Sequence, residues 1–298
     1  MKTMWKKMMV TVAATCVFGA GVSFAAEEAK PVAIGAAPAA AAPAEDKVTG
    51  SVSLGAYNRY IFRGYELSTH SVVLQPQLSA SYKNFTATMW GNVDSRQKGT
   101  QSFYPELTSE GPGKRSWNET DLTLSYSFTP IDKLSITGGF IYYGTKYTKE
   151  TEELFLSATY DWYGKPTLAV YRDIRSYPGT YINMSLSHSE PIYKIATGDI
   201  TLDLGASAAY FIGDSDYWKT YDGATGDYSG KKYSAFHDGM LKAGFTVPLG
   251  KGFSISPMAQ FTFPLSSKAK KEVDGVSYNV NGKLDKNFVY GVGLTFSF

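Results

Sequence analysis

The last residues of the chain, Asn287 to Phe298, read NFVYGVGLTFSF and decide the fold. Bulky apolar side chains alternate with mostly small ones through this stretch. A period of two places successive side chains on opposite faces of a β-strand. The stretch therefore predicts a strand with one bulky apolar face. That face holds Phe288, Tyr290, Val292, Leu294, Phe296 and Phe298, and the other holds Val289, Gly291, Gly293, Thr295 and Ser297.

The same alternation recurs from Gly50 onward, and we count 12 stretches of it. The connections between them alternate between tight turns and longer polar loops. An even number of strands, with short turns at one end and long loops at the other, is typical of an outer-membrane barrel. The predicted strands are 50–62, 71–83, 85–95, 117–129, 134–145, 152–162, 166–175, 180–191, 199–212, 235–249, 253–264 and 287–298.

Composition excludes several other classes of protein. The formal net charge of the 298 residues is +2, without the basic excess of a nucleic-acid binder. One cysteine excludes a disulfide scaffold and a cysteine-rich metal site. Mean hydropathy is only −0.20, which excludes a bundle of membrane helices. We predict no cofactor and no metal site.

The N-terminus has the features of an export signal. Lys2, Lys6 and Lys7 precede an apolar stretch, and Ser23-Phe24-Ala25 supplies small residues at −3 and −1 of a cleavage site. We predict a signal peptide over residues 1–25, with a lipoprotein acylated at Cys16 as the alternative. Residues 26–47 are rich in Ala and Pro and predict a flexible periplasmic segment, followed by the barrel domain over 48–298.

The fold prediction depends on what surrounds the apolar faces. In lipid every backbone polar group must be paired, so a membrane sheet has to close on itself. We predict an all-β, transmembrane, antiparallel up-and-down barrel of about 12 strands in the outer membrane of a Gram-negative bacterium. A secreted β-sandwich, with the same faces turned inward, is the alternative.

Outward aromatic side chains cluster near the predicted strand ends, as in the interfacial girdles of membrane barrels. Near the short turns the predicted girdle residues are Tyr82, Phe128, Trp162, Phe253 and Phe298. Toward the long loops the same phase includes Tyr60 and Phe62. The expected partners of this surface are outer-membrane lipid and lipopolysaccharide.

The chain ends on an aromatic residue with a characteristic spacing. Gly293, Phe296 and Phe298 resemble the C-terminal signal that the bacterial barrel-assembly machinery recognises. The resemblance implies that this machinery is a partner during biogenesis.

The inward phase of the predicted strands carries charged and aromatic side chains. Acidic residues exceed basic ones by six to three, which favours cations if the lumen is open. Mutual pairing of these charges, closing the lumen, is the alternative. The predicted lumen residues are Arg59, Arg63, Trp90, Glu119, Asp121, Tyr143, Asp161, Asp173, Asp203, Asp238 and Lys242.

One segment carries a family resemblance. Tyr60-Ile61-Phe62-Arg63-Gly64, followed by Trp90-Gly91-Asn92, resembles the opening strands of the TorF-like porin family. The resemblance covers about residues 50–95. It implies an outer-membrane, pore-forming protein whose substrate is unassigned.

Three functions are compatible with such a barrel. We predict a porin-like channel for passive diffusion of small hydrophilic solutes or ions. A non-conducting structural or adhesive barrel and an outer-membrane hydrolase are the alternatives. The chain has neither a Gly-x-Ser-x-Gly nor a His-Glu-x-x-His motif, so no enzyme activity is predicted.

Overall fold

The structure is a computed structural model that describes residues 47–68, 71–96, 115–146, 148–221, 225, 227–272 and 284–298. The predicted signal peptide and nearly all of the Ala/Pro-rich segment lie outside these residues. Over the described ranges no helix is long and apolar enough to cross a membrane. The elements are β1 (Thr49–Tyr57), β2 (Tyr60–Phe62), β3 (Tyr65–Ser68), β4 (Val73–Tyr82), β5 (Phe85–Asp94), β6 (Ser116–Ile131), β7 (Leu134–Thr145), β8 (Thr151–Tyr160), β9 (Thr167–Asp173), β10 (Gly179–Ile195), β11 (Gly198–Gly213), a 3₁₀ helix (Asp216–Trp218), β12 (Lys219–Tyr221), β13 (Tyr228–Lys232), β14 (Ser234–Gly250), β15 (Phe253–Pro264), α1 (Ser267–Glu272) and β16 (Asn287–Ser297).

Twelve of these strands form one closed antiparallel barrel in the order β1-β16-β15-β14-β11-β10-β9-β8-β7-β6-β5-β4. Closure occurs because β1 pairs with β4 on one side and with β16 on the other. At the seam, the backbone of Phe298 exchanges two hydrogen bonds with that of Gly50, at 2.9 and 3.0 Å. The predicted 12-strand antiparallel barrel is therefore confirmed.

The connections sort by length as expected. The turns 83–84, 132–133, 196–197 and 251–252 have two residues each and lie at one end of the barrel, which we call the short-turn end. The strand ends joined by the longest connections, which are 58–72, 95–115, 214–233 and 265–286, lie at the other end, the long-loop end.

The two faces of each strand differ in exposure as the alternation predicts. In β8, Leu154 and Leu156 are 51% and 58% exposed, whereas Phe155 and Ser157 are 5% and 9% exposed. The bulky aliphatic side chains thus point outward around the barrel. The lumen receives the small, polar and aromatic ones.

The first predicted strand is too long. It was expected over 50–62, but β1 ends at Tyr57, and Tyr60–Phe62 forms β2, which pairs with β3 instead of the barrel. The reason lies at Asn58, whose side chain accepts a hydrogen bond from the amide of Tyr290 and donates one to the carbonyl of Phe288. These side-chain bonds cap the ladder with β16 and allow the backbone to leave the barrel wall.

The β2–β3 hairpin is closed by the two-residue turn Arg63-Gly64. Both residues have positive φ, 48° and 78°, which is the signature of a type I′ turn. Glycine is required at position 64 for a second reason, since a Cβ atom there would lie 2.5 Å from Leu284 Cδ1. The motif that was predicted to end a strand is therefore the tip of a hairpin.

Candidate functional site

The short-turn half of the lumen is lined by small hydroxyl side chains. They pair across neighbouring strands at 2.8 to 3.0 Å, which satisfies their hydrogen bonds without charge. This half of the wall is therefore lined by polar side chains. The pairs are Ser79 with Thr88, Ser81 with Thr86, Ser127 with Thr137, and Thr159 with Thr167.

The long-loop half of the lumen is filled by large aromatic side chains and by the β2–β3 hairpin, which we call the plug hairpin. Trp90, Tyr143, Tyr171, Tyr181 and Phe211 point inward from the wall and are at most 5% exposed. In the plug hairpin itself Tyr60, Ile61, Tyr65 and Leu67 are buried among them. The apolar core of this barrel is thus inside its lumen, at one end.

The plug hairpin contacts strands on all sides of the barrel. The Tyr60 hydroxyl donates to Glu119 of β6 at 3.1 Å, and Ser68 donates to Asp94 of β5 at 2.5 Å. On the opposite side, the carbonyl of Arg63 accepts a hydrogen bond from His237 of β14 at 3.1 Å. Contacts in opposite directions mean that the hairpin lies across the lumen rather than along one wall.

A charged pair lies at the tip of the plug hairpin. Arg63 Nη1 and Nη2 donate to Glu153 Oε1 and Oε2 at 2.7 and 2.8 Å, a bidentate geometry. Tyr143 donates its hydroxyl to the same carboxylate at 2.6 Å. The guanidinium carbon also lies 5.2 Å from the ring centre of Tyr171 and 4.5 Å from that of Tyr181. We call these four wall residues, Glu153, Tyr143, Tyr171 and Tyr181, the Arg63 socket.

The guanidinium of Arg63 remains protonated although the side chain is largely buried. Burial lowers the pKa of this guanidinium, but the charge and hydrogen bonds of Glu153, together with Tyr143 and Tyr181, outweigh burial and raise the pKa above its ordinary value. Arg63 therefore stays protonated in the socket at every physiological pH.

A β-bulge brings two functional residues to the lumen together. Adjacent residues of a regular strand face opposite sides, yet His237 and Asp238 are both fully buried. The register between β11 and β14 shifts between Ala208 and Tyr210, next to this position. The Asp238 carboxylate accepts a hydrogen bond from the Tyr181 hydroxyl at 3.1 Å. Because His237 Nε2 donates its proton to the Arg63 carbonyl, Nδ1 is free to accept a hydrogen bond from the Tyr233 hydroxyl at 2.7 Å. The prediction had included Asp238 but not His237, because alternation gives no sign of a bulge.

The other predicted lumen residues are spread over both halves. Trp90, Glu119, Asp121 and Tyr143 are buried in the long-loop half beside the plug hairpin, and Arg59 is bonded to Glu66 and Asn287 at 2.9 and 2.7 Å. Asp173 is buried and accepts from Thr151 at 2.7 Å. Asp203 lies in the short-turn half and accepts from Ser189 and Thr246 at 2.6 and 2.9 Å, and Lys242 is partly buried.

Asp161 does not lie on the lumen face of a strand. It was predicted there because the alternation was extended to Trp162, but β8 ends at Tyr160. Asp161 is exposed in the 161–166 turn, where its amide bonds to the carbonyl of Lys133 at 2.7 Å.

The predicted girdle divides by end. At the short-turn end all five predicted side chains are at least 40% exposed. At the long-loop end, in contrast, Tyr60 is only 1% exposed and Phe62 lies in the plug hairpin. The prediction that these two side chains point outward was therefore wrong. Tyr60 and Phe62 continue the alternation of the outward side chains of β1, but they lie beyond Tyr57, where β1 ends. The five exposed side chains are Tyr82, Phe128, Trp162, Phe253 and Phe298.

A cavity of about 60 Å³ adjoins the Arg63 socket. Arg63, Glu153 and Tyr143 line it, together with Lys149 and Tyr177 from connections at the long-loop end. Asp173, which pairs in register with Glu153, also borders it. The charged pair is thus adjacent to open space on the side of the long loops.

The histidines and the potential metal ligands are the groups that hydrolase or metal chemistry would use. No cluster of three or more potential metal ligands occurs in the described part of the chain. Both ring nitrogens of His237 are engaged by Tyr233 and by the Arg63 carbonyl, and His188 lies near the short-turn end beside Glu190 and Tyr163. His70 is outside the described residues.

Comparisons with known proteins concern the fold alone. No protein-family model and no curated protein matches the chain, so the resemblance to the TorF-like porins stays a prediction. Among solved structures, the KdgM porin has a TM-score of 0.46 and 12% identity, covering 83% of this chain and 99% of its own. The NanC porin has a TM-score of 0.48 and 10% identity, covering 84% and 100%. LpxR from Salmonella typhimurium has a TM-score of 0.45 and 10% identity, covering 83% and 100%. Similarity this low carries no argument about function.

Proposed function

We propose that this chain is an outer-membrane channel for passive diffusion of small hydrophilic solutes or ions, with a lumen constricted by the plug hairpin. The observation that carries the proposal is a closed barrel with an apolar outer surface and a hydroxyl-lined inner surface. A membrane pore needs both surfaces at once, because its outside meets lipid and its inside meets water.

The outer surface supports a place in a membrane. Aliphatic side chains such as Leu124, Leu156 and Met184 are about 60% exposed, which is costly in water for a soluble protein. The predicted signal peptide and the terminal Gly293, Phe296 and Phe298 favour the outer membrane of a Gram-negative bacterium. Lipid and lipopolysaccharide around the wall, and the barrel-assembly machinery during biogenesis, are part of the same proposal.

Polar atoms on the inner surface support a hydrated lumen. Asn183 Oδ1, Gln260 Oε1 and Thr262 Oγ1 are buried on the lumen face and have no hydrogen-bond partner among the described residues. Buried polar atoms in proteins are nearly always bonded to protein or to ordered water. These atoms are shielded in the observed state, and water would supply the missing bonds when the plug hairpin moves and solvent enters this part of the lumen.

The charges of the wall favour cations. Six buried carboxylates surround the plug hairpin, whereas Arg63 reaches the lumen from the hairpin and not from the wall. Carboxylates lining a narrow passage attract cations and repel anions. These carboxylates are Asp94, Glu119, Asp121, Glu153, Asp173 and Asp238.

Single-channel recording tests the proposal directly. The mature chain, residues 26–298, is refolded in detergent and inserted into planar bilayers with a gradient of potassium chloride. We expect discrete conductance steps and a reversal potential whose sign shows that potassium passes more readily than chloride. Absence of conductance from barrels with correct fold, in the wild type and in a variant with a loosened plug hairpin, would overturn it.

A non-conducting structural or adhesive barrel is the second candidate, and one observation favours it. The plug hairpin is bonded to opposite walls through Glu119, Asp94 and His237, so the lumen is obstructed in the observed state. The channel and the structural barrel differ in whether the plug hairpin can move out of the lumen. Conductance that rises when the hairpin is loosened supports the channel, and conductance that stays at zero supports the structural barrel.

A further inference from the structure

We propose that the Arg63 socket is a binding site for small cations bearing a guanidinium group, and that Arg63 is its built-in competitor. The inference rests on the proposed channel function, because solutes must reach the socket through the lumen or the long-loop mouth. It names the class of solute that the constriction would recognise.

The chemistry of the socket matches a guanidinium ion. The two oxygens of Glu153 meet two parallel N–H donors, which a planar fork provides and an ammonium does not. The rings of Tyr171 and Tyr181, 5.2 and 4.5 Å from the guanidinium carbon, add cation–π attraction. A carboxylate flanked by aromatic faces would serve a free guanidinium as it serves this side chain.

The socket belongs to the barrel wall and not to the hairpin. Tyr143, Glu153, Tyr171 and Tyr181 come from β7, β8, β9 and β10, which are four neighbouring strands. Wall contacts hold them in place, because Tyr143 bonds to Glu153 and Tyr181 bonds to Asp238. Withdrawal of the plug hairpin would therefore leave the site formed.

The backbone of Arg63 has φ 48°, at the first central position of a type I′ turn, which suits Asn, Asp or Gly best. Lys83, Lys133, Lys165 and Lys251 also have positive φ in the short turns, so the conformation is compatible with a long side chain and does not by itself call for arginine. The cavity of about 60 Å³ beside Arg63 and Glu153 is also lined by Lys149 and Tyr177 of the long-loop end, which is the side from which a small solute would reach the socket.

The test uses the full mature chain with R63G, which empties the socket and relaxes the backbone at that position. Methylguanidinium chloride is titrated against detergent-folded protein, with potassium chloride keeping ionic strength constant, and binding is measured by calorimetry and by the shift in unfolding temperature. R63G/E153Q is the matched control for the carboxylate. K133G, at φ 67° in a short turn, is the control for the gain of a glycine.

We expect saturable binding to R63G that is about tenfold or more tighter than to R63G/E153Q, since a charged hydrogen-bonded pair contributes at least that factor. Wild type and K133G should not bind. R63K, which keeps the charge without the fork, is measured as well and should bind more weakly than R63G. If R63G does not fold, R63K carries the test and should bind more tightly than wild type. Equal binding to all variants, or no binding to either R63G or R63K, overturns the inference.

Binding and conductance separate the two proposals. Channels that conduct although R63G binds no methylguanidinium would leave the proposed function standing and remove the socket as a solute site. Binding of methylguanidinium to R63G in a barrel that never conducts would leave the socket standing as a binding site and would remove the proposed channel function.

Discussion

Arg63 and Glu153 lie 90 residues apart in the sequence, yet their side chains form two parallel hydrogen bonds of 2.7 and 2.8 Å inside the barrel. Arg63 is at the tip of the plug hairpin and Glu153 is on the wall, so this pair attaches the first long loop to β8. Both side chains are largely buried, with 12% and 4% exposure. The pair therefore has consequences for both stability and passage through the lumen.

Replacing Glu153 by glutamine should destabilise the closed lumen. E153Q keeps the shape but leaves the buried guanidinium without its counter-charge, and breaking such a pair costs about 3–5 kcal/mol. We expect a lower free energy of unfolding in urea titrations of bilayer-folded protein, together with larger or more frequent conductance steps. The matched control is E190Q, because Glu190 is 63% exposed and pairs with His188 at the surface, and it should change stability by about 0.5 kcal/mol or less. Equal effects of the two substitutions would contradict the role of the pair.

A disulfide should lock the plug hairpin. Tyr65 and Leu284 form an isolated antiparallel β-bridge, which brings their Cα atoms within the range that a disulfide spans. Because Cys16 lies in the predicted signal peptide, Y65C/L284C would hold the only cysteines of the mature chain. We expect lower conductance in the oxidised form than in the reduced form of the same protein.

Comparing the two redox states cancels the loss of packing at both positions. The wild type, measured with and without the reductant, provides the control. A double variant whose conductance is unchanged by reduction would show that movement of the hairpin does not limit passage.

A charge on the outer surface should be costly in a bilayer. Leu156 lies in the middle of β8 and is 58% exposed, and arginine at the bilayer midplane costs about 2–4 kcal/mol. L156R should therefore lower the free energy of unfolding in lipid vesicles by that amount. Y163R is the control, since Tyr163 is 75% exposed in a short turn and should tolerate the charge. If L156R is as stable as Y163R, the outer surface does not meet lipid.

The terminal aromatic residue should matter for assembly more than for stability. The Phe298 side chain is 52% exposed, and its backbone bonds to Gly50 do not depend on the ring. F298A should fold normally in detergent but reach the outer membrane of cells several-fold less efficiently, measured as folded barrel in membrane fractions. F253A, which removes a similarly exposed ring at the same end, is the control. Equal losses from both would argue for a girdle effect instead of a signal.

The sequence by itself determined the barrel. Alternation with a period of two assigns each side chain to a face from its immediate neighbours, so β7 and β15 were predicted with the bounds that the structure has. The length of each connection can also be read from the sequence alone, so it distinguishes the short-turn end of the barrel from the long-loop end without knowledge of the tertiary structure.

Only the tertiary structure decided how the lumen is filled. Tyr60-Ile61-Phe62 continues the alternation of β1, and nothing in those letters shows that the chain leaves the wall at Tyr57 and turns inward. The bulge that brings His237 into the lumen depends on pairing with β11, and the partner of Arg63 is 90 residues away. These features arise from contacts between distant segments, which become neighbours only when β1 meets β16 and the barrel encloses an interior.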